Sequence, residues 1–416
     1  MFKEGFLLGA ATAAHQVEGN NTKNDIYAQE CMKHGGYPVR SGLAANHYVT
    51  YRDDIRKMAE AGLNAYRFSL EWSRIEPQEG VIDHNEIEHY RDMIHACYEN
   101  GIEPIVTLFH FTSPKWLIEK GGWESEVAIE CFARYVEVVC EAYKNENLRY
   151  VCTINEANIG VLIAKYMRMA MEQSAKADNL QIGVDIEAMA REREEARLES
   201  LQVFHVENPA VFVSPRTAKG VNIVKQAHRK AVDIIHKMMP ETKAGLSLSL
   251  RDVQWNEEGK EMAQACWEEE FSQFLDAIQD DDYFGLQNYT RCVFGKDGEL
   301  PVPDGAEVTQ MGYEFYPQGL ENVLRRVSQE FKHEILVTEN GIATSDDTRR
   351  VAFIKEALAG VKRCLDDGVS LIGYIYWTMI DNYEWQSGYS MQFGLMEMDE
   401  DHTPKPSLAV LGSYRG

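Results

Sequence analysis

The chain has no long hydrophobic run and few basic residues. No segment of its 416 residues reaches the roughly 18 consecutive apolar residues of a transmembrane helix, so the sequence predicts no membrane span. Its 42 Lys and Arg stand against 66 Asp and Glu, for a formal net charge of −24 at pH 7. Binding of phosphate groups depends on clustered Lys and Arg, so this charge argues against nucleic acid and anionic membranes as partners.

Paired cysteines and metal-site motifs are also missing. The eight cysteines form no CxxC pair and lie at positions 31, 97, 131, 140, 152, 266, 292 and 364. Free thiols in a reducing compartment fit this spacing best, and disulfides or zinc are the less favoured alternative. No HExxH motif is present, so we expect no metal. The N-terminal stretch contains Glu4 and runs into His15 and Gln16, unlike a signal peptide, which predicts a cytoplasmic protein.

Short apolar segments recur along the chain, each followed by a polar loop and a helical pattern. They cover residues 6–11, 64–70, 103–109, 149–155, 244–249, 282–289, 334–338 and 372–378. Segments such as EPIVTLFHF and EILVTENG are rich in Val, Ile, Leu and Phe, as parallel strands covered on both faces are. Eight strand–helix units predict an α/β fold, a single (β/α)8 TIM barrel over residues 1–416. A doubly wound open sheet is the alternative, but no GxGxxG follows the first strand.

Two segments between the strands stand out. Residues 47–63 place apolar side chains at helical spacing, with Gly62 near the predicted end of the helix. Residues 163–203 carry opposite charges at three- and four-residue spacing, which predicts a solvated helical insertion after strand 4. Barrels place their active sites on that side, so the insertion has two interpretations, a lid over the pocket and a surface helical hairpin.

Two strands of the predicted barrel end in a glutamate. Glu156 closes the fourth strand in VCTINEANIG, and Glu339 closes the seventh in LVTENG. The C-terminal strand ends of a barrel converge on one face, so the two carboxyl groups are expected to share a pocket. Each then changes the protonation of the other, which leaves one acid and one base near neutral pH. Cleavage of a glycosidic bond needs this division of labour.

Five blocks of the sequence resemble glycoside hydrolase family 1, the β-glucosidase family of (β/α)8 barrels. The blocks are FLLGAATAAHQVEG (6–19), YRFSLEWSRIEP (66–77), TINEA (153–157), VTENG (337–341) and DNYEWQSGY (381–389), and they follow the family's order. The resemblance implies a retaining β-glycosidase that acts on small β-glucosides or short oligosaccharides. It would release terminal non-reducing β-D-glucosyl residues, with β-fucosyl and β-galactosyl residues as further substrates, through a covalent glycosyl-enzyme. It implies no cofactor.

The resemblance also assigns roles to individual residues. Glu156 would be the general acid/base and Glu339 the nucleophile, with carboxyl groups about 5 to 5.5 Å apart. Asn155 would bind the sugar 2-hydroxyl, and Arg67 and Tyr289 would keep the nucleophile ionised. The residues that would contact substrate are Gln16, His110, Phe111, Asn288, Trp377, Glu384 and Trp385.

Glu384 bears on the choice of substrate. Family members that act on 6-phosphosugars generally carry a small residue here and add cations, because carboxylate and phosphate repel each other. The acid is retained, which favours an unphosphorylated sugar. Phe111 and Tyr313 stand where many relatives have Trp, which leaves the aglycone open. The alternatives are a non-catalytic sugar-binding barrel, a 6-phospho-β-glycosidase and an enzyme that holds Mg²⁺ on its carboxylates, and a homo-oligomer also remains open.

Overall fold

The structure is a computed structural model that describes residues 1–177 and 186–416. Its strands are β1 Leu7–Ala11, β2 Ala65–Ser69, β3 Glu103–Thr107, β4 Tyr150–Cys152, β5 Lys243–Gly245, β6 Ser247–Ser249, β7 Asp252–Trp255, β8 Tyr283–Gln287, β9 Arg291–Gly295, β10 Gly298–Glu299, β11 Glu334–Glu339 and β12 Leu371–Trp377. Every segment that the sequence predicted as a strand contains one. The predicted fifth strand is divided into β5 and β6.

The barrel sheet is parallel throughout and closes on itself. Its strand order is β5-β4-β3-β2-β1-β12-β11-β8-β6, and every neighbouring pair in it is parallel. β5 and β6 stand at the two ends of this order, but only Leu246 separates them along the chain. The backbone N–H of Gly285 donates to the carbonyl of Leu246, which links this junction to β8. The two short strands together fill the fifth position of an eight-fold barrel.

Helices cover the outside of the barrel. They are α1 Ala14–Val17, α2 Asp25–Glu30, α3 His47–Glu60, α4 Trp72–Ile75, α5 His84–Glu99, α6 Lys115–Ile118, α7 Val127–Tyr143, α8 Ile159–Ala177, α9 Ile186–Phe204, α10 Ala218–Met238, α11 Lys260–Glu270, α12 Leu275–Ile278, α13 Gly319–Glu330, α14 Asp347–Asp366 and α15 Pro406–Gly412. α3 buries Ile55 and Met58 and ends before Gly62, whose φ of +99° suits glycine. None of the helices within residues 1–177 and 186–416 is long and apolar enough to cross a bilayer.

A small second sheet, which the sequence did not predict, extends the barrel at its C-terminal end. Its order is β10-β9-β7. β7 begins shortly after β6 ends, and β9 begins shortly after β8 ends, so the sheet continues from two neighbouring barrel strands. β7 and β9 pair in parallel, and β10 pairs with β9 in antiparallel fashion. The sheet therefore lies beside the mouth of the barrel.

The predicted insertion at 163–203 falls within α8 and α9 where it is described, and its residues 178–185 lie outside the described residues. α9 is tied to the loop after α2, because Glu199 accepts hydrogen bonds from the backbone N–H groups of Lys33 at 2.6 Å and His34 at 2.9 Å. The choice between a lid and a surface hairpin stays a prediction, as does the single domain over residues 1–416.

Candidate active site

The candidate residues gather at the C-terminal ends of the barrel strands. Arg67 lies within β2, Glu339 is the last residue of β11, and Trp377 is the last residue of β12. The others follow strand ends: Gln16 after β1, His110 and Phe111 after β3, Asn155 and Glu156 after β4, Asn288 and Tyr289 after β8, and Glu384 and Trp385 after β12. Parallel strands of a barrel end on one face, so residues from six strands surround a common pocket.

Glu339 is held at both carboxylate oxygens. Arg67 Nη1 donates to Oε1 at 2.6 Å, and the Tyr289 hydroxyl donates to Oε2 at 2.6 Å. Burial raises the pKa of Glu339, and the Arg67 guanidinium and the Tyr289 hydroxyl oppose that rise. Arg67 is itself fully buried, so its charge acts on Glu339 with little screening by solvent. Both contacts favour the ionised form of this carboxylate.

Glu156 has a different environment. Its backbone takes the left-handed conformation, with φ of +41°, and its N–H donates to Ser247 Oγ at 3.1 Å. Such a conformation is uncommon for residues other than glycine and often occurs at functional sites. Burial, followed by the charge of Glu339, raises the pKa of Glu156 well above its ordinary value. A carboxyl group with a raised pKa stays protonated close to neutral pH and can act as an acid.

Asn155 connects Arg67 to His110. Its Oδ1 accepts from Arg67 Nη2 at 2.6 Å, and a guanidinium can only donate, so Asn155 Nδ2 faces the other way and donates to His110 Nε2 at 3.1 Å. Burial lowers the pKa of His110 well below its ordinary value, which leaves the ring neutral with its proton on Nδ1. Nδ1 is buried and has no hydrogen-bond partner among the described residues. A buried donor in this state is suited to a ligand hydroxyl.

Gln16 and Glu384 meet although they are 368 residues apart in the chain. Gln16 Nε2 donates to Glu384 Oε2 at 3.2 Å and to the carbonyl of Tyr383 at 2.9 Å. The Oε1 atom of Gln16 is buried and accepts no hydrogen bond within the described part of the chain. Burial and the charge of Glu339 raise the pKa of Glu384 to about 8. The influence of Glu339 on both Glu156 and Glu384 places the three carboxyl groups near one another.

Aromatic rings line the same pocket. The ring of Trp377 is stacked on His110 with centroids 5.7 Å apart, and Trp385 lies 5.3 Å from Phe111. His15, directly before Gln16, is also stacked on Trp385, at 5.9 Å. These contacts fix the planes of both indole rings. A flat apolar face of this kind is suited to the C–H side of a pyranose ring.

The chain matches the family model described as Glycosyl hydrolase family 1 over residues 1–180 and 299–408. It belongs to that family. The family 1 hydrolase is 28% identical to Beta-glucosidase A of Thermotoga maritima, over 96% of this chain and 93% of that protein. It is also 28% identical to human Cytosolic beta-glucosidase, over 97% of this chain and 95% of that protein.

A solved structure supports the assignment. The β-glycosidase BGL167 is 38% identical to this family 1 hydrolase and superposes with a TM-score of 0.89, covering 100% of this chain and 97% of that one. The prediction of a family 1 β-glucosidase and of a (β/α)8 barrel is therefore confirmed at the level of family and fold.

Two neighbouring residues of the family 1 hydrolase exchange the positions that the sequence suggested. The Asn288 side chain is not brought to the pocket with the other candidates, because its amide N–H groups donate to the backbone carbonyls of Leu250 at 2.8 Å and Thr290 at 2.9 Å. Gln287, which was not among the candidates, instead donates from Nε2 to Asn155 Oδ1 at 2.7 Å. Successive side chains of a strand point to opposite faces, so Gln287 faces the barrel and Asn288 faces away from it.

The carboxylates of the pocket do not form a metal site. Within residues 1–177 and 186–416, no group of three or more His, Cys, Asp or Glu side chains could hold a metal ion. The polar atoms around Glu339 are instead donors, Arg67 and Tyr289, which would repel a cation or leave it without ligands. The pocket combines two acids, a neutral imidazole and aromatic faces.

Proposed function

We propose that the protein is a retaining β-glycosidase that hydrolyses terminal non-reducing β-D-glucosyl residues of small O-glycosides. One observation carries this proposal. Glu339 has both oxygens held by donors, while the pKa of Glu156 is raised by burial and by the Glu339 charge. One carboxylate and one carboxylic acid in a single pocket are what a double-displacement glycosidase requires. The names of the curated relatives, all β-glucosidases or glucan glucohydrolases among those compared, support it.

The reaction would take place in two steps. In the first, a Glu339 oxygen attacks the anomeric carbon while Glu156 gives its proton to the departing glycosidic oxygen, so the aglycone leaves as an alcohol. In the second, Glu156 takes a proton from water, which attacks the anomeric carbon and displaces Glu339. Two displacements at one carbon return the original β configuration. A carboxyl separation of about 5 to 5.5 Å is the geometric requirement of this route.

The unpaired polar atoms of the pocket propose how the sugar is held. Gln16 Oε1 could accept from one hydroxyl, and His110 Nδ1 could donate to another. Glu384, bound to Gln16, would receive a neighbouring hydroxyl, while Trp377 would cover the apolar side of the ring. Asn155 would reach the 2-hydroxyl beside the anomeric carbon. A sugar bound at every hydroxyl leaves no path for a continuing chain, so we infer exo action on a terminal residue.

A panel of nitrophenyl β-glycosides tests this function. Glucoside should be hydrolysed fastest, with fucoside or galactoside next. The 6-phosphoglucoside should have a kcat/KM at least about 100-fold lower, because its phosphate meets the acidic Glu384. Preferential turnover of the 6-phosphoglucoside would favour the 6-phospho-β-glycosidase instead. Glucoside binding without release of nitrophenol would favour the non-catalytic sugar-binding barrel, and loss of activity in EDTA would favour the magnesium enzyme.

Replacing Tyr289 by phenylalanine tests the environment of the nucleophile. The change removes the hydrogen bond to Glu339 Oε2, so the pKa of Glu339 should rise. The active form is the ionised one, and activity is lost as pH falls through that pKa, so the acidic limb of kcat/KM should move to higher pH. A hydrogen bond to a charged group contributes about 1.5 to 3 kcal/mol, so kcat/KM should fall about 10- to 100-fold.

The matched control for this variant is Tyr98→Phe on α5, where the hydroxyl donates to the carbonyl of Asn147 at 3.1 Å. Its pH profile should equal that of the unaltered protein. An acidic limb that stays in place in Tyr289→Phe would show that the hydroxyl does not stabilise the charged nucleophile.

We also infer a cytoplasmic location. All eight cysteines are free, and all except Cys31 are buried, as expected in a reducing compartment. One of the relatives compared is named a cytosolic β-glucosidase.

A further inference from the structure

A buried cluster of charged groups and thiols lies outside the proposed active site, where α8 meets α11 and the small sheet. Lys165 Nζ donates to Cys266 Sγ at 2.8 Å and to Glu270 Oε1 at 3.0 Å. Arg251 Nη2 donates to the same Glu270 oxygen at 2.6 Å and lies 3.8 Å from Cys266 Sγ. Cys292 on β9 is the second thiol and forms a hydrogen bond with Cys266. Both cysteines are less than 5% exposed.

The cluster is a property of this chain more than of the family. Arg251, Cys266, Glu270 and Cys292 all lie between the two stretches that match the family model, 1–180 and 299–408. None of them has a place in the proposed hydrolysis. A buried lysine in contact with a thiol therefore needs an explanation of its own.

The two thiols differ in acidity. The hydrogen bond with Cys292, and then the Lys165 ammonium, lower the pKa of Cys266, although burial and Glu270 act against them. The same hydrogen bond, together with burial, raises the pKa of Cys292. Arg251 also faces Glu299, which binds its other nitrogen, Nη1, at 2.8 Å. Cys266 is thus the thiolate of the pair, and Cys292 keeps its proton.

A small molecule has a path to these sulfurs. Lys165 and Cys266 line a cavity of about 330 Å³ that Phe294 and Met262 also border. Cys292 lines a second cavity of about 320 Å³, together with Arg251 and Tyr289. The second cavity reaches the proposed active site, because the Tyr289 hydroxyl binds Glu339.

We propose that Cys266 and Cys292 are a redox pair that hydrogen peroxide converts into a reversible intramolecular disulfide. The Cys266 thiolate attacks one peroxide oxygen, the O–O bond breaks, and the departing hydroxide is protonated to water, which leaves a sulfenic acid. The Cys292 sulfur then attacks the Cys266 sulfur and releases its proton, and the hydroxyl leaves as a second water. Two thiols and one peroxide give one disulfide and two waters. A small dithiol reverses the reaction by exchange.

Oxidation of the full chain, followed by alkylation and peptide mapping, tests the pair. Peroxide should yield a Cys266–Cys292 peptide that has lost two hydrogens and that dithiothreitol separates again. The matched control is Cys31→Ser, which removes the exposed thiol and should leave this link unchanged. In Cys292→Ser, oxidation should stop at a sulfenic acid on Cys266, which dimedone traps.

Two results would overturn the proposal. The first is the absence of the link under peroxide that oxidises Cys31. The second is a Cys266–Lys165 peptide that has gained one oxygen and lost two hydrogens, since that bridge would exclude Cys292 as the resolving thiol.

Lys165→Met measures the part that the ammonium plays. The variant removes one cation from the sulfur, so alkylation of Cys266 by iodoacetamide at pH 7 should be about tenfold slower, as expected for a rise of one unit in the pKa of this thiol. Lys230→Met, which removes an exposed lysine paired with Glu130, is the control and should not change the rate. An unchanged rate in Lys165→Met would contradict the assignment of Cys266 as the activated thiol. Circular dichroism checks that each variant is folded.

Discussion

The Glu339→Ala variant is expected to hydrolyse an aryl β-glucoside with a kcat lower by about 10⁴-fold or more, since the group that attacks the anomeric carbon is gone. Sodium azide should restore turnover, because the small anion fits the space that the carboxylate leaves between Arg67 and Tyr289. Azide then attacks from the side that Glu339 occupied, and only one displacement occurs. The product should therefore be the α-glycosyl azide, which proton NMR identifies.

The control for this experiment lies on the same strand. Glu334 begins β11 at the opposite end of the barrel and pairs with Lys243. Glu334→Ala makes the same chemical change in the same element and should keep near-normal activity. Near-normal activity in Glu339→Ala itself would remove the nucleophile from the proposal.

The Glu156→Gln variant should depend strongly on the leaving group. Phenyl or alkyl glucosides need a proton on the departing oxygen, and loss of a general acid typically costs 10²- to 10⁴-fold, so their kcat/KM should fall by about 10³-fold. Dinitrophenyl glucoside leaves without protonation, so its kcat/KM should change little. Its kcat should still be low, because no base activates water in the second step. Steady-state kinetics with the two substrate classes separate these effects.

The pH dependence gives a second measurement for Glu156. Burial and the charge of Glu339 raise the pKa of this carboxyl, so the protonated, active form persists up to that raised value. Activity should then fall as pH rises through it, which forms the basic limb of the profile. Glutamine does not titrate, so Glu156→Gln should lose this limb. Azide should give the β-glycosyl azide here, opposite to the Glu339 variant, and the same anomer from both variants would refute the assignment of roles.

The barrel could be predicted from the sequence because its strands are strong local signals. The segments that form β3 and β11 are almost continuous apolar runs, and buried parallel strands require such runs. The two glutamates lie at the ends of such strands, so their convergence followed from the fold. The small sheet was missed because β7 and β9, DVQW and RCVFG, are short and mix polar with apolar residues. Their pairing is decided by contacts with distant parts of the chain.

The contacts within the pocket were less accessible to sequence reasoning. A period of two along β8 could have shown that Gln287 and Tyr289 share a face that excludes Asn288, but the strand end had to be known first. The tautomer of His110 depends on Asn155, and that of Asn155 depends on Arg67. The thiol cluster was also out of reach, because Lys165, Cys266 and Cys292 are far apart in the chain and share no motif.

The pairing of Gln16 with Glu384 affects how the protein matures during synthesis. One residue follows the first barrel strand and the other follows the last, and they face each other only once β1 has paired with β12. A ribosome must therefore release nearly the entire polypeptide before any sugar can be gripped. Affinity for glucose is in this sense a readout of completed ring closure, and a nascent or truncated chain would be inert toward its own substrate.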